Sequence, residues 1–271
     1  MTRDEKLQEI LDKSVYDASD LVTIVELLRL PGGCPWDRDQ THKSLRKDLI
    51  EETYEVIEAI DNDDPVLLAE ELGDLLLQIV LHARIEEEQG RANFDRVAEG
   101  VCRKMIHRHP HVFGEGKADT VAQVLTNWEK IKSEEKARKT VTDQLSAVPR
   151  QLPALMRAAK VGKKANVMDF PSTASALAKV SEELSEVEEA LASGTADDVR
   201  EEIGDLLFTV ANLARKAGVE PEEALSAATD KFVMRFAAVE SLAAGQNADL
   251  SAMSDAEKDN LWEIAKKTAK M

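Results

Sequence analysis

Two stretches of this sequence place four carboxylates where they could act together. Glu183 and Glu186, in SEELSEVEEA, stand three residues apart, as do Glu202 and Asp205 in REEIGDLL. That spacing puts both members of a pair on one face of a helix. Each pair flanks an apolar stripe, Val180, Leu184, Val187 and Leu191 in the first segment and Val199, Ile203, Leu206 and Val210 in the second. The ASGT turn at 192 to 195 makes the two helices antiparallel neighbours, so the four carboxylates converge on one cleft. An acidic face that served only solvation would carry Lys or Arg one turn downstream, whereas Glu182 is followed at that spacing by Glu186 and Glu201 by Asp205. Lys179, one turn ahead of Glu183, is the one nearby base, and crowded carboxylates beside apolar packing raise each other's pKa unless a cation joins them. A hard, all-oxygen donor set without His or Cys points to Mg²⁺, with Mn²⁺ as the alternative, rather than zinc. The missing Glu-x-x-His argues against an oxygen-activating di-iron site.

The same set occurs twice. An offset of 131 superposes Glu51, Glu52, Glu55, Val56, Glu58 and Ala59 on Glu182, Glu183, Glu186, Val187, Glu189 and Ala190, and EELGDLL (70 to 76) on EEIGDLL (201 to 207). Over positions 51 to 84, 14 of 34 residues are identical without a gap, which marks a duplication. Looser echoes pair Lys104 and Arg108 with Lys231 and Arg235, and Trp128 with Trp262. Gly204 inside a helix costs about 1 kcal/mol against alanine, a cost that makes sense if its bare face admits a neighbouring helix or a ligand between the metal-binding carboxylates.

The elements that must position these residues are helices throughout. Leu, Ala, Glu and Lys recur at 3- and 4-residue spacing, and β-branched alternation is nearly absent. Helices are expected at about 19 to 30, 43 to 61, 65 to 89, 94 to 107, 120 to 137, 153 to 165, 172 to 192, 196 to 217, 221 to 243 and 254 to 269. This is an all-α fold with an N-terminal domain over 1–137, a linker over 138–152 and a catalytic C-terminal domain over 153–271. The run Leu75, Leu76, Leu77, Ile79, Val80 and Leu81 leaves a helix apolar nearly all round, more than one bundle covers, so a homodimer is expected.

With 52 acidic against 35 basic residues and a formal charge of −17, nonspecific attraction to nucleic acid or to an anionic membrane surface is excluded. No apolar run approaches the roughly 20 residues of a membrane span, and the start MTRDEKLQEILDKS is too polar for a secretory signal. Cys34 and Cys102 have no metal-ligand spacing and read as reduced thiols of a cytoplasmic protein.

Glu-Glu-x-x-Glu, a spacer, then Glu-x-x-Asp resembles the signature of the all-α nucleoside triphosphate pyrophosphohydrolases. With GGCPWDRDQTH (32 to 42), RHPHVF (108 to 113), LPALMRAAK (152 to 160) and the Lys231/Arg235 pair in order, the chain is similar over nearly its whole length to the two-domain MazG family. The resemblance implies a tandem repeat of helical-bundle domains, a dimer, and Mg²⁺-dependent hydrolysis of nucleoside triphosphates to monophosphate and pyrophosphate. It implies that Glu183, Glu186, Glu202 and Asp205 hold the metal and that Lys179, Lys231, Arg235 and Trp262 lie along the nucleotide. Trp262 either stacks a base or anchors the terminal helix. Glu182 is the candidate that orients or deprotonates the attacking water.

Departures qualify the picture. DDVR leaves Arg200 shifted from a place where relatives carry a nucleotide-binding base. In the N-terminal copy Asp48 replaces Lys179, so Glu52, Glu55, Glu71 and Asp74 form a second metal set less suited to a triphosphate, with Lys47 and Lys104/Arg108 supplying residual positive charge. His107, His109 and His111 read as a structural turn rather than a zinc site. The competing reading is a helical regulatory module whose acidic clefts bind a metal or a partner without turnover. It leaves the company of Lys179, Lys231 and Arg235 unexplained.

Overall fold

The computed structural model describes residues 1–135 and 140–268. The chain divides into two compact units, Met1–Glu135 and Lys136–Met271, and among the described residues the regular elements are all helical. Unit 1 holds α1 (Arg3–Leu11), α2 (Ala18–Arg29), α3 (Pro35–Asp39), α4 (Arg46–Asp61), α5 (Pro65–Glu88), α6 (Phe94–Arg108), α7 (Pro110–Phe113) and α8 (Val121–Glu135). Unit 2 holds α9 (Val141–Ser146), α10 (Ala154–Lys164), α11 (Thr173–Ser193), α12 (Ala196–Lys216), α13 (Pro221–Gly245) and α14 (Asp255–Thr268). Each of the ten expected helices is present to within a few residues; positions 136–137 and 269, expected as helix ends, lie outside the described residues. Sequence periodicity missed α1, α3, α7 and α9, of which the last three are under two turns long. The stretch expected as linker holds α9, which packs on α10, while its positions 138–139 are outside the described residues.

The pairing that matters is α11 with α12, mirrored by α4 with α5. Ser172 caps α11 and Thr195 caps α12, each in a reciprocal capping box, and Gly194 and Thr195 alone separate the two helices. In unit 1, Asp64 caps α5 through the Val66 and Leu67 N–H groups and Pro65 occupies its first position. Both turns are too short for anything but an antiparallel hairpin.

Each hairpin is braced from outside. On α12, Asn212 is fully buried and donates from Nδ2 to the Phe208 carbonyl, and α10 reaches it only because residue 162 is glycine: a Cβ there would stand 1.6 Å from Asn212 Oδ1. Asp169, in the loop before α11, pairs with Arg215 and Lys216 at the end of α12. In unit 1, Arg29 of α2 pairs with Glu88 of α5 and donates to the carbonyls of Asp37 and Gln40, fixing the approach to α4.

The cores differ between the copies. Val25, Leu45, Val80, Leu81 and Ile85 form the buried cluster of unit 1, centred on α2 and α5. In unit 2 the largest cluster, Val239, Ala243, Leu261 and Ala265, joins α13 to α14. The stripes expected to face inward are only partly covered: Val187 is buried, whereas Leu184, Leu191, Ile203 and Val210 are exposed. Val180, Val199 and Leu206 of the stripes are half-buried, and Ala176 and Ala190 of α11 are buried.

Candidate active site

The α11–α12 hairpin brings three of the four expected carboxylates together. Glu183, Glu186 and Glu202 each offer an oxygen within 4.8 Å of the others. Glu183 is buried, 6 % exposed, while Glu186 and Glu202 are half-buried. Asp205 is exposed and lies outside that group. Lys179 reaches Glu183 at 3.0 Å and Glu182 at 2.8 Å, so one ammonium serves two carboxylates. Hydrogen bonds from Lys179 to Glu182 first and Glu183 second hold its pKa well above the ordinary lysine value. The Glu186 carboxyl is raised, chiefly by burial, with Lys179 pulling it back and Glu183 and Glu202 adding repulsion.

This donor set fits a hard divalent cation. Three carboxylate oxygens at that separation, with one carboxyl raised by burial and like charge, leave an electrostatic deficit that a cation fills. Gly204 faces open space: a Cβ there would meet nothing within 4 Å, so among the described residues no helix of this chain packs on this glycine.

The other expected residues fall elsewhere. Lys231, Arg235 and Trp262 lie on α13 and α14, and among the described residues none makes a hydrogen bond or ion pair with the acidic group. Trp262 packs on Phe232, with ring centres 5.2 Å apart, and on the α13–α14 core. The Arg235 Nε is buried without a hydrogen-bond partner. Arg200 is exposed and paired with Asp197 of its own helix.

In unit 1, Glu52, Glu55 and Glu71 form the matching triad, again without the aspartate, Asp74. Among the described residues no lysine forms an ion pair with it. Glu52 is raised by burial and then by Asp74 and Glu55, and Glu71 by burial and then by Glu55 and Asp74. Part of the residual positive charge expected here is engaged: Lys47 pairs with Glu51 at 3.4 Å, and Arg108, 8 % exposed, is held by Glu135 at 2.5 Å and lies 5.3 Å from the Trp128 ring centre, while Lys104 is exposed. His109 donates from Nδ1 to the Met105 carbonyl at 2.6 Å and packs edge-to-face with Trp128. Sequence reasoning missed the Asp169 brace and the Glu135 partner of Arg108, since nothing local marks partners 46 and 27 residues apart.

The model of the MazG nucleotide pyrophosphohydrolase domain matches this chain twice, over residues 40–113 and 172–239. Both matches contain an acidic triad. The nucleoside triphosphate pyrophosphohydrolase of Escherichia coli K12 is 40% identical over 252 residues, 91% of this chain and 96% of that protein. The nucleoside triphosphate pyrophosphohydrolase/pyrophosphatase MazG of Thermotoga maritima is 41% identical over 249 residues, 91% of this chain and 94% of that protein. Two domain matches, each enclosing a carboxylate hairpin, together with likeness along nine-tenths of the chain, show that it belongs to the MazG nucleotide pyrophosphohydrolase family.

Proposed function

We propose that the C-terminal unit carries the hydrolysis of nucleoside triphosphates to monophosphate and pyrophosphate that family membership brings, as a nucleotide-pool enzyme of the cytoplasm. The observation that carries the assignment to this unit is the triad Glu183, Glu186 and Glu202 with Lys179 clamped beside it. Together with Asp205 these carboxylates are assigned to hold Mg²⁺, or Mn²⁺ in its place. When bound, such a cation supplies positive charge to the phosphates and lowers the pKa of the attacking water.

Lys179 pairs with Glu183 and places an ammonium at the edge of an otherwise repulsive cleft. Glu182, held by the same lysine, is assigned to orient the water or take its proton. Lys231, Arg235 and Trp262 are assigned to the nucleotide; the unpartnered Arg235 Nε supports an anion there. The uncovered Phe232, Val233, Met234 and Phe236 of α13 support a homodimer in which matching units pack together. The unit 1 set, Glu52, Glu55, Glu71 and Asp74, is assigned to metal binding without efficient turnover. Incubation with each triphosphate and Mg²⁺, followed by ³¹P NMR, should yield monophosphate and pyrophosphate. Orthophosphate as product would contradict cleavage between the α and β phosphates, and metal binding without product would favour the regulatory module.

A further inference from the structure

All five histidines of the chain, at 42, 82, 107, 109 and 111, lie in unit 1. Two of them face each other across a tertiary contact. His42 stands in the segment leading into α4 and His82 in the body of α5; their Nδ1 atoms are 2.7 Å apart, with the ring planes within 9° of parallel. The other nitrogen of His42, Nε2, lies 2.8 Å from Glu86 Oε1. Hydrogen bonds from Arg91 first, and from His42 after it, hold the Glu86 carboxyl down at about 2, so it is ionised and accepts the His42 Nε2–H. That fixes the remaining protons. The Nδ1···Nδ1 contact has room for one, which His82 donates to His42, and His82 Nε2 is left as a bare lone pair. It is buried and has no hydrogen-bond partner.

An added proton therefore has one place to go, His82 Nε2, where it becomes a buried N–H without an acceptor. A second would set N–H against N–H at 2.7 Å. Other charges nearby do not relieve this. Lys43 and the Arg29–Glu88 pair of α2 and α5 line the cavity beside His42, and Arg91 is occupied by Glu86. Among the described residues no charged group of α4 or α6 makes a hydrogen bond or ion pair with either ring. We propose that His42 and His82 form a one-proton clamp that fastens the segment entering α4 to α5 near neutral pH and lets it go on acidification. The C-terminal copy has Thr173, Leu213 and Ala217 at the positions of His42, His82 and Glu86, so it lacks the device.

The direction follows from the protonation states. Burial first and His42 second push His82 below the ordinary 6.5. A histidine lowered in the folded state contributes its full stability above the unfolded pKa and loses it as pH falls from there through the folded value. The acid response thus begins below about pH 6.5, well above the carboxylate range. Leu45 is wholly buried in the unit 1 core, so the release is confined to the segment ahead of it.

Hydrogen exchange of the full chain at pH 7.5, 6.5 and 5.5, corrected for intrinsic exchange, tests the clamp. Residues 40–44 should keep their protection between pH 7.5 and 6.5 and lose it progressively between pH 6.5 and 5.5. The matching residues 171–175 should keep theirs. His82→Leu, the residue of the C-terminal copy, should give a flat profile, and His42→Thr serves if the first variant does not fold. Wild-type NMR supplies an independent reading: the His82 midpoint should lie below the ordinary histidine value. Constant protection at 40–44, an equal loss at 171–175, a loss that persists in the variants, or a His82 midpoint at the ordinary value would overturn the proposal.

Discussion

At the scale of residues, Lys179 separates the two acidic clusters. One ammonium joined to Glu182 and Glu183 leaves a raised carboxyl at Glu186, whereas in unit 1, with Asp48 in that place, both Glu52 and Glu71 are raised. Gly204 offers a second test at this scale. An added methyl there meets nothing within 4 Å, so Gly204→Ala should stabilise α12 by about 0.5–1 kcal/mol and raise the melting temperature by roughly 1–4 °C. If a phosphate approaches over that bare face, the same variant loses about tenfold or more in kcat/KM. Thermal unfolding and steady-state assay on one preparation check both; a stability gain with turnover unchanged would remove ligand approach as the reason for the glycine. The sequence marked Gly204 as unusual but could not separate packing from access, because both require empty space beside the backbone. Lys179 was legible from its spacing, while the commitment of Arg108 to Glu135 was not.

At the scale of elements, the α11–α12 hairpin is a bracket held at its open end by Asp169. The Asp169 carboxyl sits at about 2, chiefly through the Arg215 hydrogen bond and secondly through that of Lys216. A lowered carboxylate stabilises above its unfolded pKa near 3.8 and loses that contribution as pH falls toward the folded value. Asp169→Asn should therefore cost about 1–3 kcal/mol at pH 7 and much less near pH 2, as read by urea unfolding at the two pH values. An equal deficit at both would assign the effect to packing. Helical periodicity and the ASGT turn made the hairpin legible, and a 131-residue repeat doubled the signal. The brace was hidden because an Asp in a loop announces no partner 46 residues away. The inward face was misjudged for a related reason: Leu184 and Ile203 follow the helical period, but period alone does not say whether the covering surface belongs to the same chain.

At the scale of the whole molecule, both units expose apolar helix faces, Tyr54, Ile57 and Leu72 in one and Leu184, Leu207 and Phe232 in the other. Light scattering at micromolar concentration should therefore give twice the chain mass of 29.9 kDa, and a monomeric mass would contradict the dimer. Duplication supplied two hairpins, and electrostatics decides between them. A triphosphate brings about four negative charges to a cleft lined with carboxylates, so the copy with a fixed cation should carry turnover. The most direct measurement is pyrophosphate release from a triphosphate with Mg²⁺ by the wild type, Glu183→Ala and Glu52→Ala, each shown to be folded by circular dichroism. The charge argument predicts turnover abolished in Glu183→Ala and mostly retained in Glu52→Ala. Equal losses in the two variants, or a greater loss in Glu52→Ala, would contradict it.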